Sequence, residues 1–294
     1  MKDEGQILLN LPPSYFILHT YSLFPLEDNF SDIIGKAQRG LKLSDAILAS
    51  RAGLPVEALE RLRTGHFDPA AARLLAPVLG LDPRALVEIG QNAYAPAPIG
   101  SFDGLAQFNT PFGDMTVNAY LLWDPATADA AAFDTGSDST PIIDHLRSHG
   151  LTLRFIFLTH THGDHVFDLD RLQQHTGAPT FVSSREPLGG AESIDAGREF
   201  PLGSLRVATR LTWGHSRGGM TYVVTGLRGP VAVVGDALFA GSMGGGMVSY
   251  EDALRTNREQ IFSLPDDTII CPGHGPITSL AEEKKHNPFF ATTQ

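Results

Sequence analysis

An apolar run, FIFL (Phe155–Leu158), is followed directly by THTHGDH (Thr159–His165). A short apolar run of this kind is typical of a buried strand, so the polar cluster stands where that strand gives way to a loop. Neutral imidazole and carboxylate are ligands that zinc, iron and manganese accept. Packing alone explains such a cluster poorly, because each buried polar group needs a partner. The stretch therefore predicts a metal site with these candidate ligands: His160, His162, Asp164 and His165.

Three further elements carry ligand-type side chains at strand ends or in tight turns. TWGHS places His215 after a strand, VVGDALF places Asp236 at the end of an apolar strand, and CPGHG places His274 in a glycine-flanked turn. A sheet can bring such ends together on one edge even when they lie far apart along the chain. We therefore expect these three side chains to join the first four.

The composition indicates a globular protein, because 42% of the 294 residues are hydrophobic. The net charge of −11 argues against nucleic-acid or membrane-surface binding by the chain as a whole. The one cysteine, Cys271, excludes a disulfide within the chain. No apolar run is long enough to span a bilayer, and the opening MKDEGQ lacks an export pattern. We therefore expect a cytoplasmic protein that does not associate with a membrane.

The pattern of the chain changes near residue 98. Before it, five short segments begin at Ser, Asp or Pro and end at Gly, which is the usual punctuation of helices. Ser31 and Ser44 are the expected N-caps of the first two helices. The expected divisions are a lead-in over residues 1–30, a small all-α domain over 31–90, a linker over 91–100 and a larger domain over 101–294.

The sequence of the larger domain predicts alternating short strands and helices. STPIIDHLRSHG and DLDRLQQHTG predict helices that end at Gly150 and Gly177. Interleaved strands and helices indicate a layered α/β domain. The predicted strands cover residues 115–124, 128–136, 153–160, 205–211, 220–226 and 230–236.

Taken together, the four ligand-bearing elements resemble the metallo-β-lactamase-fold hydrolase superfamily over roughly residues 100–294. The resemblance implies an αββα sandwich with two divalent metal ions, for which zinc is favoured and iron or manganese are alternatives. An aspartate at the bridging position, where many true β-lactamases have cysteine, argues against antibiotic hydrolysis. The implied ligands are His160, His162 and His215 for one ion, Asp164, His165 and His274 for the other, and Asp236 as the bridge.

The carboxyl end, HGPITSLAEEKKHNPFF (His274–Phe290), resembles the tail of the glyoxalase II group, especially its shorter bacterial members. This resemblance implies hydrolysis of a small-molecule thioester or ester. A metal-bridging hydroxide would attack the carbonyl, and Asp164 would orient that hydroxide and relay a proton to the leaving group. We interpret Glu283 and Asn287 of this tail as structural residues.

In the all-α part, LSDAILASRAGLPVEALERLRTG followed by DPAAARLLAPVLGLDPRAL resembles the Cro/C1 (Xre) type of helix-turn-helix domain. The resemblance implies a second helix that would enter the major groove of DNA. Residues 31–98 carry eight Lys or Arg and seven Asp or Glu, and this second helix carries Glu57 and Glu60. Because such a surface approaches phosphates poorly, DNA and a protein partner are equal expectations for residues 31–90. A homodimer is compatible with either.

Three alternatives to a thioester or ester hydrolase stay open. An iron-dependent persulfide dioxygenase resembles the same scaffold and would use one iron held by His160, His215 and Asp236. A lactonase would use the complete ligand set. A regulator would bind DNA or a partner through the helical domain and sense a metabolite through the metal domain. Metal content separates the first alternative, and a gel shift with residues 1–98 tests the last.

Overall fold

A computed structural model of the chain describes residues 24–100 and 102–291. Most of the predicted lead-in, residues 1–23, lies outside the described residues. Two six-stranded sheets face each other, and helices cover the outer face of each. This arrangement confirms the predicted αββα sandwich with helices preceding it.

The first sheet has the strand order β1-β2-β3-β4-β5-β6. β1 to β3 pair antiparallel and β3 to β6 pair parallel. The parallel pairs β3–β4 and β4–β5 are connected through helices, as parallel pairing requires a crossover. The strands are β1 (Leu105–Phe112), β2 (Met115–Trp123), β3 (Asp129–Phe133), β4 (Thr152–Phe157), β5 (Thr180–Ser183) and β6 (Glu192–Ile194). The helices that follow β3 and β4 are α6 (Thr140–His149), α7 (Gly163–Val166) and α8 (Leu169–Thr176).

The second sheet has the strand order β12-β11-β10-β9-β8-β7, and only β10 and β11 pair parallel among its neighbours. A helix and a π-helical turn (Asn257–Ile261) connect these two strands. The strands are β7 (Glu199–Leu202), β8 (Leu205–Leu211), β9 (Met220–Thr225), β10 (Val231–Gly235), β11 (Ile269–Pro272) and β12 (Thr278–Ser279). The later helices are α9 (Tyr250–Thr256) and α10 (Leu280–His286).

The strand sequences explain how the layers pack. In β4, Phe155 and Phe157 contribute to the core between the sheets, whereas Ile156 and the next residue after the strand, Leu158, pack under the helices on the outer face. In β10, Val231 and Val233 face the other sheet, while Ala232 and Val234 face outward. This is the alternation of a strand whose two faces are both buried. Continuous apolar runs such as FIFL therefore mark the middle of the sandwich.

Among the described residues, five helices precede the sheets, and they share one hydrophobic core with the outer face of the second sheet. Ile33, Leu48 and Leu86 of these helices belong to the same cluster as Val234 and Leu238. Within the part of the chain that the structure describes, no helix is long and apolar enough to cross a membrane. The helices are α1 (Phe30–Gly40), α2 (Asp45–Ala52), α3 (Val56–Arg63), α4 (Pro69–Val78) and α5 (Pro83–Gly90).

Two details of the sequence analysis need correction. Asn29, and not Ser31, is the N-cap of α1. Its side chain accepts hydrogen bonds from the backbone N–H groups of Ser31 and Asp32, and its own backbone N–H donates to the Asp32 carboxylate. The strands β1, β5, β6, β7, β11 and β12 were not predicted. Most are short, and β1 is an edge strand that contains Pro111, a residue that weakens the strand pattern. The domain divisions and the helix-turn-helix identity stay predictions.

The carboxyl-terminal helix is attached to the sandwich by a buried carboxylate. Glu283 of α10 is fully buried and accepts hydrogen bonds from the Gly241 N–H at 3.0 Å and the Thr278 hydroxyl at 2.8 Å. The Asn287 amide donates to Glu283 at 2.7 Å, and the Tyr94 hydroxyl donates at 3.3 Å. Glu283 therefore joins the tail to the segment after β10 and to the residues that follow α5.

Replacing Glu283 should change how stability depends on pH. Burial raises the pKa of Glu283 from 4.5 to about 7 despite the hydrogen bonds of Asn287 and Thr278. The folded state binds the Glu283 proton more tightly than the unfolded state does, so protonation stabilises the fold. This stabilisation is complete below pH 4.5 and is lost as the pH rises through 7. From pH 5 to pH 8, the free energy of unfolding in urea should fall for the native chain. In Glu283→Gln we expect this fall to be smaller by about 2 kcal/mol. Glu282→Gln on the same helix is the control, and equal pH profiles of all three proteins would contradict the prediction.

Candidate metal centre

The seven predicted ligands come together at one edge of the sandwich. His160 and His162 follow β4, and Asp164 and His165 lie in α7. The other three come from the second sheet: the β8–β9 connection, the residue after β10 and the turn after β11. They are His215, Asp236 and His274. The structure thus places all seven candidate side chains in two adjoining groups, of four and three residues.

The first group consists of His160, His162, His215 and Asp236. His160 Nε2 lies 3.0 Å from His162 Nδ1, which lies 3.1 Å from His215 Nε2. The Asp236 Oδ2 atom lies 3.3 Å from His215 Nε2. Three ring nitrogens and one carboxylate oxygen thus converge on one point, with the spacing of ligands around a cation.

The second group consists of Asp164, His165 and His274. Asp164 Oδ2 lies 3.3 Å from His274 Nε2 and 3.5 Å from His165 Nε2. Asp236 reaches this group as well, with Oδ1 3.3 Å from His165 Nε2 and Oδ2 3.5 Å from His274 Nε2. The carboxylate of Asp236 therefore stands between the two groups.

Hydrogen bonds on the far side of three rings direct their Nε2 atoms inward. His274 Nδ1 donates to the Thr116 carbonyl at 2.6 Å, and His215 Nδ1 donates to the Gly245 carbonyl at 3.0 Å. His165 Nδ1 donates to Asp134 Oδ2 at 2.8 Å. A proton fixed on Nδ1 leaves the lone pair of Nε2 free for a metal ion.

Asp134 is a functional candidate that the sequence analysis missed. It follows β3, and besides His165 it accepts from the Thr159 N–H at 2.7 Å and the Thr159 hydroxyl at 2.8 Å. It thereby orients His165 and also fixes the start of THTHGDH. The signal was present in AAFDTG, where an aspartate ends an apolar strand just as Asp236 does in VVGD.

Glu186, also missed, joins two ligand-bearing loops. Its carboxylate accepts from the Thr161 hydroxyl at 2.6 Å, and Thr161 stands between His160 and His162. The same carboxylate accepts from the Gly218 N–H at 2.8 Å, in the loop that carries His215. No local pattern marks Glu186, because its partners lie 25 and 32 residues away.

Burial and charge prepare the two groups differently for a cation. Burial holds the pKa of His160 well below its ordinary value, with a further lowering from His165, so this ring is neutral. Burial opposes protonation of His165 and His274, but the neighbouring carboxylates raise their pKa values to about 10 and about 11. A cation in the second group would displace those protons, so metal binding is expected to strengthen as the pH rises.

The residues present fit divalent metal ions. The His165 Nε2 and Asp236 Oδ1 atoms are buried and have no hydrogen-bond partner among the described residues. An unpartnered buried polar atom is costly, and a cation would satisfy both atoms. The donor set of imidazoles and carboxylates is the one that zinc, iron and manganese accept.

Replacement of Asp134 by asparagine should weaken metal binding. The amide of Asp134→Asn would offer His165 a weaker acceptor than the carboxylate, so the tautomer with a free Nε2 would be less populated. We expect about 10- to 100-fold lower metal affinity, measured by competition with a chromophoric chelator. Asp168→Asn is the matched control, because Asp168 accepts hydrogen bonds from Ser139 and no candidate ligand. Unchanged affinity in Asp134→Asn would contradict this role.

A cleft of about 1040 Å³ opens on His215, Asp236 and His274. Its walls include Met115 of β2 and residues of α1. This volume can hold a small organic molecule next to the candidate metal centre.

The chain is similar to several known proteins. The probable metallo-hydrolase YqgX of Bacillus subtilis is 30% identical over 206 residues, which cover 61% of this chain and 95% of the relative. The hydroxyacylglutathione hydrolase GloC of Haemophilus influenzae is 29% identical over 196 residues, which cover 59% of this chain and 92% of the relative. The crystal structure of the BLEG-1 B3 metallo-beta-lactamase superimposes with a TM-score of 0.56 at 27% identity, and covers 63% of this chain and 99% of that one.

The family profile described as the metallo-beta-lactamase superfamily matches residues 112–274, which is more than half of the chain. The matched region contains all seven candidate ligands and both sheets' ligand-bearing strand ends. The chain therefore belongs to the metallo-beta-lactamase superfamily, whose fold binds divalent metal ions.

Proposed function

We propose that this protein is a metal-dependent hydrolase of small thioesters or esters. The proposal rests on the convergence of seven ligand-type side chains in two adjoining groups, of which His215, Asp236 and His274 line one cleft. The thioester part is supported by the similarity to GloC, which is named a hydroxyacylglutathione hydrolase. The hydrolase part is supported by the similarity to YqgX, which is named a probable metallo-hydrolase.

Two ions would be held by the two groups of side chains, and we favour zinc, with iron or manganese as alternatives. His160, His162 and His215 would hold the first ion, and Asp164, His165 and His274 would hold the second. Asp236 would bind both, since its oxygens face both groups. When bound, such a pair would lower the pKa of water and polarise a substrate carbonyl.

The chain itself would supply orientation and proton transfer. Asp164 is the candidate for moving the proton, because its carboxylate belongs to the second group and is more exposed than that of Asp236, with 13% against 9% of the side chain accessible. It would accept a proton from the attacking water and pass it to the leaving group. A thiolate leaving group needs little protonation, so one weak acid suffices.

The proposal predicts that hydrolysis depends on added metal. Protein stripped with a chelator should lose all activity on a model thioester, followed by release of free thiol, and Zn, Mn or Fe should restore it. Retention of activity by a metal-free His162→Ala protein would contradict the proposal. A β-lactam is the comparison substrate, because one similar structure is a B3 metallo-beta-lactamase; we expect no turnover of it.

The same protein preparation separates the competing activities. A content of one iron per chain, together with oxygen consumption when a persulfide is added, would identify the protein as a dioxygenase and not a hydrolase. Turnover of a lactone with no turnover of thioesters would identify a lactonase. A gel shift with the full-length protein tests the regulator, for which the helices α2 and α3 are the proposed DNA- or partner-binding unit.

A further inference from the structure

The cleft of the candidate metal centre has one wall that lies outside the region shared with the superfamily. Lys36, Arg39 and Lys42 line it, and all three come from α1 or its end. The family profile begins at residue 112, so these side chains lie outside the matched region. The helical part is therefore a component of the cleft as well as a neighbour of the sheet.

α1 is held firmly in this position. Lys36 bonds to Asp28 and donates to the Met243 carbonyl at 2.9 Å, which connects α1 to the segment after β10. The ring of Tyr250 lies against Gly40 so closely that a Cβ atom would have no room there. Ile33 and Ile34 on the inner face of α1 are completely buried in the shared core. The cleft-facing side chains therefore stand on a rigid support.

Arg39 and Lys42 are the two cations of this wall that are free to bind a ligand. Both are exposed, and neither makes an ion pair or a side-chain hydrogen bond with another described residue. Lys36, by contrast, is paired with Asp28. Four acidic residues also line the cleft, so its attraction for anions is local to the end of α1; they are Glu27, Asp28, Asp236 and Glu251.

The backbone at Lys42 supports a role for its side chain. Lys42 has φ 56°, in the left-handed region, at the position after a helix where glycine is the least strained residue. A lysine there is conformationally unfavourable, and such exceptions concentrate at functional sites. Arg39 lies in the last turn of α1, Lys42 follows three residues later just beyond the helix, and both line the same cleft.

We propose that Arg39 and Lys42 bind an acidic group, a carboxylate or a phosphate, that the substrate carries away from its scissile carbonyl. Guanidinium and ammonium groups pair with both anions, and the guanidinium can do so through two parallel hydrogen bonds. The proposal rests on the proposed hydrolase function, and it narrows the substrate to anionic thioesters or esters. The helical part would then select substrates for the metal centre.

Binding of stable thioether analogues to the metal-loaded protein tests this site without turnover. Three probes are compared by calorimetry: S-benzyl-3-mercaptopropionate, its uncharged amide, and S-benzyl phosphopantetheine. We expect the native chain to bind at least one acidic probe on the order of tenfold more tightly than the amide. The doubly substituted Arg39→Gln/Lys42→Gln protein should lose that preference and bind the amide unchanged. Tighter binding of one acidic probe than the other identifies the anion.

The matched control is the Arg51→Gln/Arg61→Gln protein, which removes two exposed cations of α2 and α3 that do not line the cleft. It should keep the full preference. Equal affinity of the native chain for all three probes would overturn the proposal. So would an unchanged preference in the Arg39→Gln/Lys42→Gln protein, which would mean that the metal ions alone bind the acid. Binding of the acidic probes by a protein that hydrolyses no thioester would instead refute the proposed function and leave this anion site standing.

Discussion

The Asp236→Asn protein is expected to lose hydrolysis by more than about 100-fold and to bind fewer metal ions than the native chain. Changes in groups that only support a ligand cost about 10- to 100-fold, so loss of a carboxylate shared by two groups should cost more. Asp236 faces His215 and His274 at 3.3 and 3.5 Å through Oδ2, and His165 at 3.3 Å through Oδ1. An amide keeps the shape of this residue but removes its charge and one acceptor oxygen.

Steady-state hydrolysis and metal content per chain are the two measurements for this variant. Asp144→Asn is the matched control, because Asp144 is an exposed residue of α6 with a long contact to Arg147 at 3.5 Å. The control should retain native activity and metal content. Asp236→Asn protein with native metal content and rate would show that the carboxylate between the two groups has no part in the chemistry.

The Gly273→Ala protein is expected to fold but to lose activity by about 100-fold, the usual cost of a displacement of about 1 Å at a reacting group. A Cβ atom at position 273 would overlap Asp236 Oδ1 and would lie 2.7 Å from His165 Cε1. Because the backbone of Gly273 is outside the positive-φ region, the obstacles to alanine are these two side chains and a tight approach of 3.2 Å to the Gly235 carbonyl carbon. The methyl group must therefore displace two candidate ligands.

The glycine of the opening motif provides the control for this prediction. A Cβ atom at Gly163 would meet only Phe112 Cζ, at an ordinary distance of 3.9 Å. Gly163 also lies outside the positive-φ region and is exposed at the start of α7. Gly163→Ala should therefore keep native metal affinity and activity. If Gly163→Ala and Gly273→Ala lost activity equally, the explanation that Gly273 leaves room for Asp236 would be wrong.

The candidate ligands could be found from the sequence because they cluster just after strands or in tight turns. The runs before His160 and Asp236 are β4 and β10, and strand ends of a sandwich meet at one edge whatever their distance along the chain. Asp134 obeys the same rule and was available to the same reasoning. Glu186 was not, because its role arises only when the loops of Thr161 and Gly218 meet.

The packing of the helical part could not be predicted from periodicity. Caps and glycines located its five helices to within a few residues, since those signals act within one turn. Nothing local indicates that Ile33 and Leu86 share a core with Val234 of the sheet. The cleft wall formed by Arg39 and Lys42 depends on that long-range packing, so it emerges only from the fold.

Anomalous X-ray scattering from crystals of the purified protein would count and locate the metal ions of the candidate centre. Two ions per chain are expected. One lies among His160, His162 and His215, the other lies among Asp164, His165 and His274, and Asp236 contacts both. A single ion, or none after growth and purification with zinc, iron and manganese supplied, would contradict the proposed two-metal hydrolase.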